Sequence, residues 1–292
     1  MLVYFKKSAF WLFGSLAIFC TNTSGQSHLE TKKWENIPFV TRSSGELHLD
    51  VFRPSDSKKR PTVLCLHGGF WAKGSKKFMH PLAESLVEKG YVAVCSNYRL
   101  TDVAPVPAQL HDVFSAIRFL RENASDFGIN PQKVGVTGSS AGGYLAVMSA
   151  VFDSGDKRTR PNVAVGMGAQ TDLLSPHIQN STVLNWSRFM GGFYHEVPQN
   201  YLKQSPIAHL TIDDPPIAII CGEYDKPSTR ANAFRKKASQ LGVPTGLTEI
   251  PGAPHGLLKA SKHRVIAINA LDNFFKAHVG KKDTNSKQTT PR

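Results

Sequence analysis

Ser140 sits at the centre of Gly138-Ser139-Ser140-Ala141-Gly142, a Gly-x-Ser-x-Gly pattern that follows the apolar run Val134 to Thr137. A serine held at a sharp strand-to-helix turn has its hydroxyl pushed out at the sheet edge, and only very small neighbours let strand and helix close around it. Such a hydroxyl becomes a nucleophile when a base takes its proton and a carboxylate orients that base. His255 is the candidate base: it lies in Pro251-Gly252-Ala253-Pro254-His255-Gly256, a loop between an expected strand and the last expected helix. The candidate acid is Asp225 in Gly222-Glu223-Tyr224-Asp225, just after the apolar run ending at Cys221, with Glu223 as its competitor nearer the strand. All these positions fall beyond the carboxyl ends of expected strands, the edge at which open α/β sheets bind ligands. The bare Gly-x-Ser-x-Gly pattern arises by chance in on the order of a tenth of chains this long, so its weight comes from these companions.

Acyl transfer also needs donors aimed at the developing oxyanion, each worth about 3 kcal/mol when removed. His67-Gly68-Gly69-Phe70-Trp71 supplies them after a buried run: the amides of Gly69 and Ala141 are assigned as donors, with Gly68 or Phe70 as a third. His67 is expected to brace this loop rather than act as a base. Structural roles are expected for Asp112 and Asp172, and a turn for Asp213-Asp214 before Pro215. Trp71, with Trp186 and Phe189 from the aromatic stretch 172–204, would line a substrate pocket or else form a small core under a loop. No Cys/His cluster has zinc spacing, so neither a metal nor a cofactor is expected.

These groups need a scaffold, and the hydropathy pattern describes one. Ile37 to Thr41 and Glu46 to Phe52 read as an edge hairpin around Ser43-Ser44-Gly45. Continuous apolar runs at Pro61 to Leu66, Tyr91 to Ser96, Lys133 to Thr137, Val163 to Ala169, Pro216 to Cys221 and Gly246 to Ile250 read as strands, most of them buried on both faces. Helical periodicity covers Phe78 to Glu88, Pro107 to Asn123, Ala141 to Val151, Arg230 to Leu241 and Lys262 to His278. The alternation implies an α/β domain over 26–280 with a mostly parallel central sheet and helices on both faces. The irregular stretch 172–204 breaks the rhythm and reads as a small cap-like insertion.

The chain has 292 residues and a formal net charge of +13. Lys6 and Lys7, the apolar Ser8 to Phe19 and the small residues Thr23-Ser24-Gly25 read as an export signal over 1–25, whose apolar run is shorter than the roughly 20 residues a bilayer span needs. Export to the periplasm or the extracellular space is therefore expected, with no stable membrane insertion after cleavage. The tail 281–292 is polar and basic and is expected to be disordered. The remaining basic excess suits anionic surfaces or polymers, but no nucleic-acid-binding motif accompanies it, and no nucleic acid partner is expected. Of four cysteines, Cys20 falls in the leader, while Cys65, Cys95 and Cys221 lie within apolar runs as core thiols.

Taken together, His67-Gly68-Gly69-Phe70-Trp71, Asn97-Tyr98-Arg99-Leu100, the Ser140 motif with Gly143, Ser205-Pro206-Ile207 and the His255 loop resemble the hormone-sensitive-lipase-like group of α/β-hydrolases. Within it the chain is most similar to the branch of exported bacterial carbohydrate acetyl and feruloyl esterases of the xylan-degrading type. The resemblance spans roughly Pro38 to His278 and implies a secreted serine esterase whose substrate is an acetyl or feruloyl ester on polysaccharide. The group often carries a third glycine where this chain has Phe70. An exopeptidase or amide hydrolase would use the same three side chains, and a non-catalytic binding protein on this scaffold would be expected to have lost one of them.

Overall fold

A computed structural model describes residues 30–279; the expected leader over 1–25, with Cys20, and the expected disordered tail 281–292 lie outside the described residues. The sheet is built from β1 (Thr31–Arg42), β2 (Gly45–Pro54), β3 (Arg60–Leu66), β4 (Val92–Ser96), β5 (Ile129–Ser139), β6 (Val163–Met167), β7 (Ile217–Gly222) and β8 (Thr245–Ile250). Among the described residues these form one eight-stranded sheet in the order β1-β2-β4-β3-β5-β6-β7-β8. The β1–β2 hairpin joins β4 antiparallel, and every other pairing is parallel. The hairpin is longer than its hydrophobic pattern suggests. The register shifts between Trp34 and Ile37 and between Pro38 and Val40, and such bulges break the strict alternation that marks a strand in sequence.

Helices α1 (His80–Glu88), α2 (Ala108–Glu122) and α3 (Ala141–Val151) are followed by four short ones after β6: α4 (Pro176–Gln179), α5 (Leu184–Met190), α6 (Pro198–Lys203) and α7 (Pro206–His209). After β7 come α8 (Pro227–Arg230) and α9 (Asn232–Gln240), and α10 (Ser261–His278) closes the described chain. Successive side chains of a strand face opposite layers. Along β3, Val63 and Cys65 therefore join Leu82, Leu86, Leu271 and Phe275 of α1 and α10. Leu64 and Leu66 join Val113 and Ile117 of α2, Tyr144 and Val147 of α3 and Phe234 of α9. Every residue of α3 is buried, because this helix packs on the sheet and is covered by α2, α7 and the Phe189 ring of α5. Cys65, Cys95 and Cys221 are free, buried thiols.

Buried charge is confined to paired clusters. Asp112 is fully buried and accepts from the guanidinium groups of Arg42 (2.9 Å) and Arg99 (2.8 Å), tying the hairpin and the segment after β4 to α2. Asp50 of β2 accepts from Lys76 Nζ (2.7 Å), the Asn36 amide (2.7 Å) and His80 Nε2 (2.8 Å). Burial alone would raise its carboxyl pKa, but these donors hold it below the ordinary range. Asp172 accepts from the amide of Leu174, and Asp214 from that of Thr211, so both close local turns. Among the described residues no helix is long and apolar enough to cross a membrane.

Candidate active site

β5 lies between β3 and β6, and the chain turns from it into α3 through Ser140, whose backbone has φ 55° and ψ −114°. A positive φ at a serine is strained and persists only where the surroundings over-determine it. Here the Ser140 amide donates to the Met167 carbonyl at the end of β6 (2.7 Å), and Tyr144 N donates back to Ser140 O (2.9 Å). The two motif glycines permit the crossing: a Cβ on Gly138 would lie 2.4 Å from the Gly142 carbonyl, and one on Gly142 2.1 Å from the Leu66 carbonyl oxygen.

The loops after β7 and β8 bring the other two groups to this turn. His255 Nε2 lies 2.7 Å from Ser140 Oγ, and His255 Nδ1 lies 2.7 Å from Asp225 Oδ2. The carboxylate fixes the Nδ1–H tautomer, which leaves Nε2 as an acceptor for the serine hydroxyl. Asp225, at the end of a single 3-10 turn after β7, is buried, whereas its neighbour Glu223 is exposed and accepts from the Gly252 amide instead (2.7 Å). Asp225 therefore faces His255 and Glu223 does not. Gly168, after β6, completes the approach: with φ +62° and a would-be Cβ 3.0 Å from His255 Cε1, only glycine fits behind the imidazole.

On the other side of Ser140 runs the loop after β3. A Cβ on Gly68 would sit 2.9 Å from the Ser139 carbonyl oxygen and 3.3 Å from Ser140 Cβ, so this loop rests directly on the turn. The Gly69 carbonyl accepts from the amides of Ala72 and Lys73, which turns it into the loop. In a trans peptide the N–H opposes the C=O, so the Phe70 amide points out of the loop. The amides of Gly69 and Phe70 donate to no backbone carbonyl in the turns and loops among the described residues, and the Ala141 amide opens the first turn of α3.

His67 braces this loop. Its Nδ1 lies 2.9 Å from the Gly68 carbonyl, its ring stacks on Tyr98 at 4.2 Å, and the Tyr98 hydroxyl donates to the His67 carbonyl (2.8 Å). Burial pushes the imidazole pKa from 6.5 down to about 4, so the ring is neutral at ordinary pH. The unfolded chain binds this proton first, so stability is fully present above pH 6.5 and falls as the pH drops from there towards 4. At 1.4 kcal/mol per tenfold in proton affinity, this costs about 3 kcal/mol. Urea midpoints of the wild type should decline over that window, and a His67→Gln variant should show a shallower decline; parallel curves would refute the assignment.

The sequence leaves two readings of the aromatic residues beside this loop, a substrate pocket or a small core, and the structure shows them packed as a core. Trp71, Trp186 and Phe189 do not form open pocket walls; they are buried in one aromatic cluster. The Trp71 and Phe189 rings stack at 3.7 Å, Trp186 lies 5.2 Å from Trp71, and Tyr144 of α3 meets Trp71 edge-on at 5.3 Å. Their faces are spent on one another, which pins the loop after β3 to α3 and α5. Phe70 and Trp71 both have positive φ, at about 1–2 kcal/mol each, and the burial of Trp71 offsets that strain. The exposed aromatic of this loop is Phe70. Sequence reasoning also missed Arg230, whose Nε lies 2.7 Å from Asp225 Oδ1. Among the described residues no three metal-ligating side chains converge.

A family model described as BD-FAE matches residues 49–237, more than half of the chain. Among curated proteins, "Esterase LipQ" of Mycobacterium tuberculosis is 28% identical over 254 residues, covering 80% of this chain and 60% of its own length. "Probable carboxylic ester hydrolase LipM" of the same organism is 28% identical over 76% of this chain and 56% of its own length. The chain thus spans well under two thirds of these relatives. A solved "truncated form of carbohydrate esterase from gut microbiota" superposes with a TM-score of 0.75 at 22% identity, covering 88% of this chain and 99% of that one. A Pyrobaculum calidifontis esterase gives 0.71 at 22% identity, over 87% and 86%. With the observed sheet order, these matches establish the α/β-hydrolase fold.

Proposed function

The chain belongs to the BD-FAE family, and from that premise we propose that it is an exported serine esterase acting on acetyl or feruloyl esters of polysaccharide. The observation that carries the reading is the continuous hydrogen-bonded chain from Ser140 through His255 to Asp225, both links at 2.7 Å. Ser140 Oγ attacks the ester carbonyl as His255 Nε2 takes its proton. Asp225 holds the imidazolium so formed. The oxyanion meets the amides of Gly69 and Ala141, with Gly68 or Phe70 beside them. His255 returns the proton to the departing alcohol oxygen, and a water activated by the same nitrogen then releases the acid and restores Ser140.

The polysaccharide substrate is supported by the sequence resemblance and by the carbohydrate esterase among the structural neighbours. The net charge left without Lys6 and Lys7 of the leader, 13 − 2 = +11, suits an anionic polymer, and the segment 1–25 supports export. A serine-directed fluorophosphonate should label one site, on the peptide containing Ser140. In the same preparation, acetylated xylan and methyl ferulate should be turned over, the former more slowly at high salt if the polymer is acidic. Labelling elsewhere, or no turnover of any ester, would overturn the reading.

A further inference from the structure

We propose that Arg230 is a positioning residue for the Ser140–His255–Asp225 chain, fixing the Asp225 carboxylate and setting the proton affinity of His255 through it. The proposal rests on the esterase reading for its kinetic consequence, but its electrostatic consequence stands on geometry alone.

Asp225 has two oxygens to satisfy in a buried position. Oδ2 accepts from His255 Nδ1 at 2.7 Å, and Oδ1 is ion-paired with the Arg230 guanidinium, 2.7 Å from Nε. The chain just beyond the acid offers little else. Pro227 has no N–H, and Lys226, at φ 53°, directs the backbone away into α8. Oδ1 makes no hydrogen bond to a backbone amide among the described residues, and the guanidinium fills that role. Arg230 is itself held from several sides: Nε donates to the Asp225 carbonyl (2.8 Å), and Nη1 reaches the Gly168 carbonyl and Gln170 Oε1, both at 3.4 Å. Its own carbonyl accepts from the Thr171 hydroxyl, while Gln170 Nε2 donates to the Thr229 carbonyl (3.2 Å). One planar fork thus joins the loop after β7, which carries the acid, to the segment after β6, which backs the imidazole. A lysine would keep the charge but not the fork.

The sign of the effect on His255 follows from the charges around it. Asp225 favours the imidazolium and Arg230, one carboxylate further away, opposes it. Other groups on that side do not compete. Burial pushes the Cys221 thiol up to about 12, so it stays neutral, and Glu223 is turned to the Gly252 amide. The segment after β6 presents the uncharged Gly168 to the ring, the nucleophile turn presents Ser140, and Lys259 on the histidine's own loop is exposed. Removing the guanidinium therefore strengthens the field of Asp225 at His255 and raises the proton affinity of the imidazole.

The test compares wild type, Arg230→Gln and Arg230→Lys in the described protein, each checked for an unchanged unfolding midpoint. With a short p-nitrophenyl ester, Arg230→Gln should lower kcat about tenfold to a hundredfold at nearly constant KM, because the acid is free to drift from its productive position. The acid limb of kcat/KM should move up by about one pH unit. Arg230→Lys should keep the limb near the wild-type pH and recover part of kcat. His255 is titrated independently by NMR of its Cε1–H, which requires no turnover and should show the same upward movement in Arg230→Gln. An unmoved His255 titration, or one moving down, overturns the proposal even if Ser140 proves to be the nucleophile. Absence of esterase activity in the wild type would sink the functional reading and leave the titration to decide this one.

Discussion

Ser140→Ala is expected to lower kcat on short p-nitrophenyl esters by about 10^6-fold, with fluorophosphonate labelling abolished and the unfolding midpoint preserved. The size follows from the cooperation of the three groups: a base and its orienting carboxylate do nothing without a hydroxyl to activate, so losing the nucleophile costs nearly as much as losing all of them. What survives is the oxyanion loop, which can still polarise a carbonyl towards water at a rate about 10^3–10^4 above the uncatalysed one. Stability is preserved because Ser140 Oγ contacts His255 and little else, and the strain of φ 55° is a backbone property that alanine shares. A variant retaining more than a hundredth of wild-type kcat would remove Ser140 from the mechanism. Loss of activity accompanied by loss of folding would be a different result, separated from the expected one by the unfolding midpoint.

The positions of Ser140, His255 and Asp225, which the structure brings together, are legible because each is marked by backbone chemistry as well as by its side chain. Glycines at 138 and 142 signal a strand and helix in contact, and the proline and glycine residues flanking His255 signal a loop. The apolar run before Gly222 signals a buried strand that ends near Asp225. The choice between Asp225 and Glu223 rested on less, since both follow that strand. It is decided in three dimensions by the 3-10 turn over Glu223–Asp225, which sends the shorter side chain inward and the longer one to the Gly252 amide.

Other features leave no such mark. Aromatic spacing does not say whether a ring meets a cleft or another ring, and Trp71, Trp186 and Phe189 meet each other. Arg230 belongs to no recognisable pattern; the only local hint is Pro227, which denies Asp225 a backbone donor and so creates a need that another group must meet. The helix expected over Arg230 to Leu241 breaks at Ala231 into α8 and α9, and that break places Arg230 at the end of α8, where its guanidinium pairs with the Asp225 carboxylate and its Nε donates to the Asp225 carbonyl. The alternation-based reading of β1 starts at Ile37, just past the register shift between Trp34 and Ile37, although the strand begins at Thr31.

The glycine at 142 supports a prediction of comparable size made on folding rather than chemistry. A Cβ there would lie 2.1 Å from the Leu66 carbonyl oxygen, 2.5 Å from its carbon and 2.6 Å from the His67 carbonyl oxygen. None of these is the end of a flexible side chain: they belong to the end of β3 and to the start of the loop that faces Ser140. Relief requires α3 to move off the sheet or the end of β3 to shift, and either displaces Ser140 from His255. Gly142→Ala is therefore expected to cost more than about 4 kcal/mol, the range reached when a packed core is overfilled by backbone it cannot move. At about 2–4 °C per kcal/mol for a domain of this size, the melting midpoint should fall by about 10 °C or more, with turnover lost in whatever fraction folds. Gly155→Ala is the matched control. Its φ is +74° and nothing lies within 4 Å of the added carbon, so it pays only the left-handed backbone strain of about 1–2 kcal/mol and should leave kcat unchanged. Gly142 has no left-handed φ, so a Gly142→Ala variant no less stable than the Gly155→Ala control would mean that the close approach of α3 to the end of β3 is not what requires glycine at position 142.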